Sequence, residues 1–204
     1  RSVKNCFEDN QETHRVSVKI PDCRRSFAPS GVHWPCGSFQ SREISSMAIV
    51  VNKPLPEFEA NATGGLKVSN TSHNGKIMIL YFYPKDNTPG CTTEAMQFRD
   101  KFKDFAKAGA TVFGVSRDNM KSHDDFKTKL ELPFELIADT EEKMCHMFGV
   151  VKNKIMYGKK VKGIERSTFL IGPDGLVKEE WRGLKVPGHV EDVLKAVKAL
   201  KKAA

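Results

Sequence analysis

A chain of 204 residues with 39% hydrophobic content is long enough to bury one sizeable core, and one domain is the default at this length. Its apolar runs, such as "IMILYFY", "TVFGV" and "TFLI", end far short of the roughly 18 residues that a membrane-spanning helix needs, so a soluble protein with no membrane segment is the expectation. The formal net charge of +8 is spread among acids, as in "KFKDFAK", with no helix-turn-helix, zinc-finger or aromatic-basic platform, and a solvated mixed surface is favoured over nucleic-acid binding.

Residues 1–46 hold Cys6, Cys23 and Cys36, mix seven basic with five acidic residues and show neither helical nor strand periodicity. They read as a non-domain leader. They have no apolar core of a secretory signal, and their acids argue against an ordinary transit peptide. Because "SSMAIVVNKPLPEFEA" looks like a protein start, appended or upstream sequence is the first reading and an accessory leader the second. The folded unit is expected over residues 47–204, where Cys91 and Cys145 are the remaining thiols. Two widely spaced cysteines suit a reducing, cytoplasmic setting better than a disulfide framework.

From there strands and helices alternate. "KIMILYFYP" reads as a buried strand, and Ala95, Phe98, Phe102, Phe105 and Ala106 follow at helical steps of three and four. Next come strand "ATVFGVS", helix "SHDDFKTKLE", strand "FELIAD" and helix "TEEKMCHMFGV". A hairpin "STFLIGPDGLVKEEW" turns at Pro173-Asp174-Gly175, and "VEDVLKAVKALKKA" closes the chain as a helix. This order predicts an α/β sandwich with a central mixed β-sheet flanked by helices.

Cys91 sits in "YFYPKDNTPGCTTEAMQFRD", at the first turn of a helix that follows a buried strand. Open α/β folds place their chemistry at that edge of the sheet. Unpaired backbone N–H groups and the positive end of the helix dipole there stabilise an anion, and the thiolate is the reactive form of cysteine. Cys91 is therefore read as a nucleophile; the ordinary alternative is a buried inert thiol. A C-x-x-C redox pair is absent, since Cys91-Thr92-Thr93-Glu94 stands in its place. His123, His146 and His189 carry no context for a cysteine-protease base and are read as surface or packing histidines. Cys145-His146 is the one adjacent Cys/His pair and lacks further ligands, so no metal or other cofactor is expected.

"PKDNTPGC" fits the P-x-x-x-T-x-x-C pattern of peroxiredoxins at Pro84, Thr88 and Cys91, and "GVSRDNMKSHDDF", "ERSTFLIGPDG" and "GHVEDVL" extend the likeness. Residues 47–204 resemble the peroxiredoxin Q or bacterioferritin comigratory protein subfamily. The resemblance implies a thioredoxin-like sandwich and a thiol-dependent peroxidase, an antioxidant enzyme acting on hydrogen peroxide and organic hydroperoxides. It assigns Cys91 as the peroxidatic cysteine, with Thr88, the backbone at Gly90 and Cys91, and Arg166 stabilising the breaking O–O bond. Pro84 would shield the thiolate and Glu94 would orient an arginine. The alternatives are a surface salt bridge of Arg166 with Glu165 and a plain first-turn carboxylate at Glu94. A thioredoxin-fold binding or holdase module with an incidental thiol is the competing function.

Two positions depart from the subfamily pattern. Many members carry a resolving cysteine five residues after the peroxidatic one, where this chain has Met96; others carry it on the next helix, where Lys127 stands. Cys145 is left as a possible resolving residue, but Met144, Met147 and Phe148 around it favour a buried structural thiol. A 1-Cys route follows, with electrons from an external thiol such as thioredoxin, glutathione or glutaredoxin, and a monomer or weak homodimer as the working form.

Overall fold

The computed structural model describes residues 49–72, 75–156 and 159–203, so the expectation of a leader over residues 1–46 lies outside them. In chain order the elements are β1 (Glu59–Ala62), β2 (Leu66–Ser69), β3 (Ile77–Phe82), α1 (Pro89–Lys107), β4 (Ala110–Ser116), α2 (Met120–Leu130), β5 (Glu135–Ala138), α3 (Lys143–Met147), β6 (Val151–Met156), β7 (Lys159–Ile164), β8 (Ser167–Ile171), β9 (Val177–Arg182) and α4 (His189–Ala203). Seven strands form one mixed sheet in the order β2-β1-β5-β4-β3-β8-β9. β3, β4 and β5 run parallel, as expected of strands joined through helical crossovers, while β8 pairs antiparallel with β3 and with β9. Among the described residues no helix is long and apolar enough to cross a membrane.

β3 is buried at all its positions because it is a central strand covered on both faces. Its side chains alternate between two cores, as the strand period requires. Ile77, Ile79 and Tyr81 pack with Phe98 and Phe105 of α1, Phe126 of α2 and Val193 and Val197 of α4. Met78, Leu80 and Phe82 pack on the opposite face with Met144, Cys145, Phe148 and Phe169. Each fully buried aromatic or aliphatic side chain contributes about 1.5–3 kcal/mol relative to exposure. Tyr81 stacks on Phe98 at 4.6 Å between ring centroids, which fastens α1 to the sheet. The mid-strand glycine of "TVFGV" has a steric cause: a Cβ at Gly114 would meet the Tyr81 hydroxyl and Leu136 Cδ2 at 2.7 Å each.

The predicted strands and helices over residues 76–203 are present, with the third predicted helix shortened to α3. Two strand pairs were not anticipated. β1 and β2 form an antiparallel ribbon on the sheet's edge around Gly64 and Gly65, and β6 and β7 form a separate two-stranded hairpin.

Candidate active site

The edge of the sheet after β3 gathers the site. β3 gives way to a loop, residues 84–88, in which Asn87 adopts the left-handed region at φ 56. Thr88 then caps α1 with extended backbone, and Pro89 occupies the first helical position, where its missing N–H costs nothing. The carbonyl of Thr88 accepts the Thr92 N–H at 2.9 Å, so the N–H groups of Gly90 and Cys91 precede the first intrahelical bond and stay open to an incoming anion.

Cys91 is 2% exposed and sits in the α1-side core. The Nη2 of Arg166 donates to its Sγ at 3.2 Å. Arg166 lies between β7 and β8, opposite the end of β3, where Phe82 pairs with Ser167. The same guanidinium, through Nη1, makes a close ion pair with Glu94 Oε2, one turn along α1 from Cys91. Arg166 therefore pairs with Glu94 and Cys91, not with Glu165 on the surface. Gly90 makes the approach possible: a Cβ there would stand 3.3 Å from Arg166 Nη2, tighter than ordinary contact.

The electrostatics are those of a buried charge cluster. Burial pushes the Glu94 carboxyl up to about 7, although Arg166 pulls in the other direction. For Arg166, burial works against the charge, but Glu94 and Cys91 outweigh it and raise the guanidinium further above its ordinary value. His189, at the start of α4, bonds Thr168 Oγ1 through Nε2 at 2.8 Å and meets Trp181 and Phe98 edge-on. Burial lowers its pKa to about 4, with Asp192 opposing in part, so it is a neutral packing group at pH 7.

Among the other expected site residues, Pro84 lies half-buried in the loop beside Tyr83. The hydroxyl of Thr88 donates to the Lys85 carbonyl at 3.0 Å, so it braces the loop and is not bonded to Cys91. Cys145 is fully buried, and its backbone N–H donates to Asp139 Oδ2 at 2.7 Å. Burial first, and then the Asp139 charge, push its thiol far above the ordinary range. It belongs to the core on the far side of the sheet, so β3 stands between it and Cys91. Both cysteines are free. Met96 is 37% exposed. Lys127 bonds Glu135 at 2.5 Å, and the Thr63 hydroxyl donates to that same carboxylate, tying α2 to β5.

A second polar group went unread in the sequence. His123, expected at the surface or in simple packing, is fully buried and faces Asp86 of the active-site loop at 2.9 Å. A signal existed: His123 shares a helical stripe with Phe126 and Leu130, three and seven residues on, which places it on the core face of α2. His146 is exposed, as expected.

A thiol in the first turn of a helix with a guanidinium donating to its Sγ brings a nucleophilic atom and fixed hydrogen-bond donors to one point. Comparisons with known proteins agree with that chemistry. Residues 51–180 match the model of the AhpC/TSA family. Peroxiredoxin Bcp of Xanthomonas campestris is 48% identical over 152 residues, covering 74% of this chain and 95% of the relative. Peroxiredoxin Bcp of Bacillus subtilis is 45% identical over 152 residues, covering 74% and 97%. A solved structure of Xanthomonas campestris peroxiredoxin Q aligns with a TM-score of 0.68 at 49% identity, covering 71% of this chain and 91% of that one. A structure of the bacterioferritin comigratory protein of the same organism, described for alkyl peroxide reduction, aligns with a TM-score of 0.68 at 48% identity, covering 71% and 92%.

Proposed function

Since the chain belongs to the AhpC/TSA family and is a peroxiredoxin, a thiol-dependent peroxidase, we propose that Cys91 is its peroxidatic residue and that no second cysteine among residues 49–203 resolves it. The observation that carries this reading is the Arg166 guanidinium at 3.2 Å from Cys91 Sγ, in the first turn of α1. An incidental thiol in a binding or holdase module has no use for a buried cation aimed at it. The Cys91 thiolate attacks one peroxide oxygen: an S–O bond forms, the O–O bond breaks, sulfur is oxidised to a sulfenic acid, and the departing oxygen takes a proton to leave as water or an alcohol. Arg166 and the open N–H groups of Gly90 and Cys91 stabilise the charge that develops on that departing oxygen. Glu94 fixes the guanidinium, and Pro84 with Thr88 forms the wall of the loop beside the thiol.

The sulfenic acid then condenses with an external thiol, releasing water, and a second thiol frees Cys91 by exchange. Thioredoxin, glutathione or glutaredoxin supplies that chemistry. Hydrogen peroxide and organic hydroperoxides are the substrates, in keeping with the alkyl peroxide activity described for the Xanthomonas relative. That relative has been solved with either of two cysteines replaced by serine; counted from Cys91, the spacing between those two falls here on Lys127. Residues 47–204 form the peroxidase unit, and two free buried thiols fit a reducing, cytoplasmic setting. A peroxide-consumption assay tests the reading: Cys91→Ser abolishes turnover while Cys145→Ser retains it, and turnover by folded Cys91→Ser refutes the assignment.

A further inference from the structure

The loop that carries Pro84 and Thr88 has no strand or helix pairing of its own, yet its middle residue is among the best-anchored polar groups in the molecule. Asp86 is 4% exposed. Its Oδ1 accepts from the Tyr83 hydroxyl at 2.7 Å, and its Oδ2 accepts from Ser122 Oγ at 2.7 Å and from His123 Nδ1 at 2.9 Å. Its backbone N–H donates to Asp118 Oδ2 at 2.8 Å, and that oxygen also takes the Ser116 hydroxyl at 2.9 Å. The far ring nitrogen of His123, Nε2, faces the carbonyl of Ile137 at 3.2 Å. The Asp86 carboxylate can only accept, so Nδ1 carries the donating N–H, and the Tyr83 hydroxyl lies 3.4 Å from that same nitrogen. Asp86 and His123 thus form a buried, hydrogen-bonded carboxylate–imidazole pair. Burial works against the Asp86 charge, but His123, Ser122 and Tyr83 together hold the carboxyl below its ordinary value.

Such a buried pair supplies a single geometry, because removal of either partner leaves buried polar groups unsatisfied. The next residue, Asn87, holds a left-handed backbone at φ 56, a conformation that asparagine tolerates and that sets the direction of the turn. The Thr88 hydroxyl bonds back to Lys85, across the anchored residue. The whole turn from Pro84 to Thr88 is therefore registered against β4, α2 and β5 through Asp86.

We propose that Asp86 and His123 are positioning residues for peroxide reduction: their buried hydrogen bond fixes the loop so that Pro84 and Thr88 stand in place beside the peroxide at Cys91. The proposal rests on the peroxidatic reading of Cys91. The two half-reactions test it, since the loop orients the peroxide and has no part in the attack of an external thiol on the oxidised enzyme. Rapid mixing measures oxidation of Cys91 by hydrogen peroxide and, separately, reduction of its sulfenic acid by a small thiol. Asp86→Asn slows oxidation at least about tenfold, the scale expected for a misplaced reactive geometry, and changes reduction less than about twofold. His123→Gln behaves alike, and the Asp86→Asn/His123→Gln pair, whose two amides can hydrogen-bond each other, oxidises faster than either single variant. Ser122→Ala, a milder change that keeps the Asp86–His123 hydrogen bond, slows oxidation about two- to fivefold if the other single variants fail to fold. Unchanged oxidation in folded variants, equal losses in both half-reactions, or no recovery in the double variant overturns the proposal. Cys91→Ser separates the two levels: if it still consumes peroxide the peroxidatic reading has failed, whereas an inactive Cys91→Ser beside a fully active Asp86→Asn refutes this inference alone.

Discussion

Arg166→Met removes the guanidinium while keeping a long apolar stem in its place. With Nη2 at 3.2 Å from Cys91 Sγ, the Coulomb energy between guanidinium and thiolate is about 5 kcal/mol at an effective dielectric constant near 20. Most of that cancels in the attack step, because thiolate and transition state carry the same total charge and uniform binding does not speed chemistry. What does not cancel is the donor that follows the charge as it moves from sulfur to the departing oxygen. Loss of one preorganised donor of this kind costs about 100-fold in rate, or about 2.7 kcal/mol. The fold should survive. Without Arg166, nothing opposes the burial that already lifts Glu94 to about 7, so the carboxyl stays protonated and no bare charge is left in the core. The assay is competition with a haem peroxidase for hydrogen peroxide, with circular dichroism confirming the fold. A second-order rate constant within about twofold of the parent in a folded variant would refute the electrostatic role.

Glu94→Gln should alter the pH dependence of stability. The folded protein holds the Glu94 proton more tightly than the unfolded chain, so the stabilisation from this group is present below the ordinary value of 4.5 and is lost as pH rises through about 7. His189, lowered from 6.5 to about 4, works in the opposite sense and costs stability as pH falls through that window. Denaturation midpoints of parent and Glu94→Gln between pH 4.5 and 7 isolate the Glu94 contribution; the variant should gain on the parent as pH rises, and parallel curves would contradict the burial argument. Cys145→Ala, a truncation in the core on the far side of the sheet, should cost about 1–2 kcal/mol in urea denaturation and leave the peroxide rate within about twofold; a rate loss beyond tenfold would tie Cys145 to the reaction.

The fold was legible where apolar periodicity was strong. The unbroken apolar run of "KIMILYFYP", buried on both faces, and the one-sided three-and-four spacing of Ala95, Phe98, Phe102 and Phe105 are patterns that burial explains directly. β1 and β2 were not, because an edge ribbon such as "EANA" and "LKVS" buries so little that its alternation is carried by alanine and one valine. The β6–β7 hairpin hid in the lysines of "VKNKIM" and "KKVKGI", which read as solvated surface. At the site, Cys91, Gly90, Glu94 and Arg166 come together as the motif implied, although 75 residues separate the cysteine from the arginine. Thr88 lies in the loop as expected, and its hydroxyl bonds the Lys85 carbonyl, a direction that the loop sets and that leaves no trace in spacing. Asp86 and His123 were missed for a related reason: polar residues flanked by charges look exposed until the helical stripe through Phe126 and Leu130 is traced.

The peroxidatic assignment faces its most direct test in one labelling experiment. The full chain is treated with one equivalent of hydrogen peroxide in the presence of dimedone, and each cysteine-containing peptide is then mapped by mass spectrometry. Cys91 should carry the sulfenic-acid adduct while Cys145 remains an unmodified thiol, as expected of groups on opposite faces of the sheet. Consumption of the peroxide with Cys91 unmodified, or a Cys91–Cys145 disulfide in good yield, would contradict it.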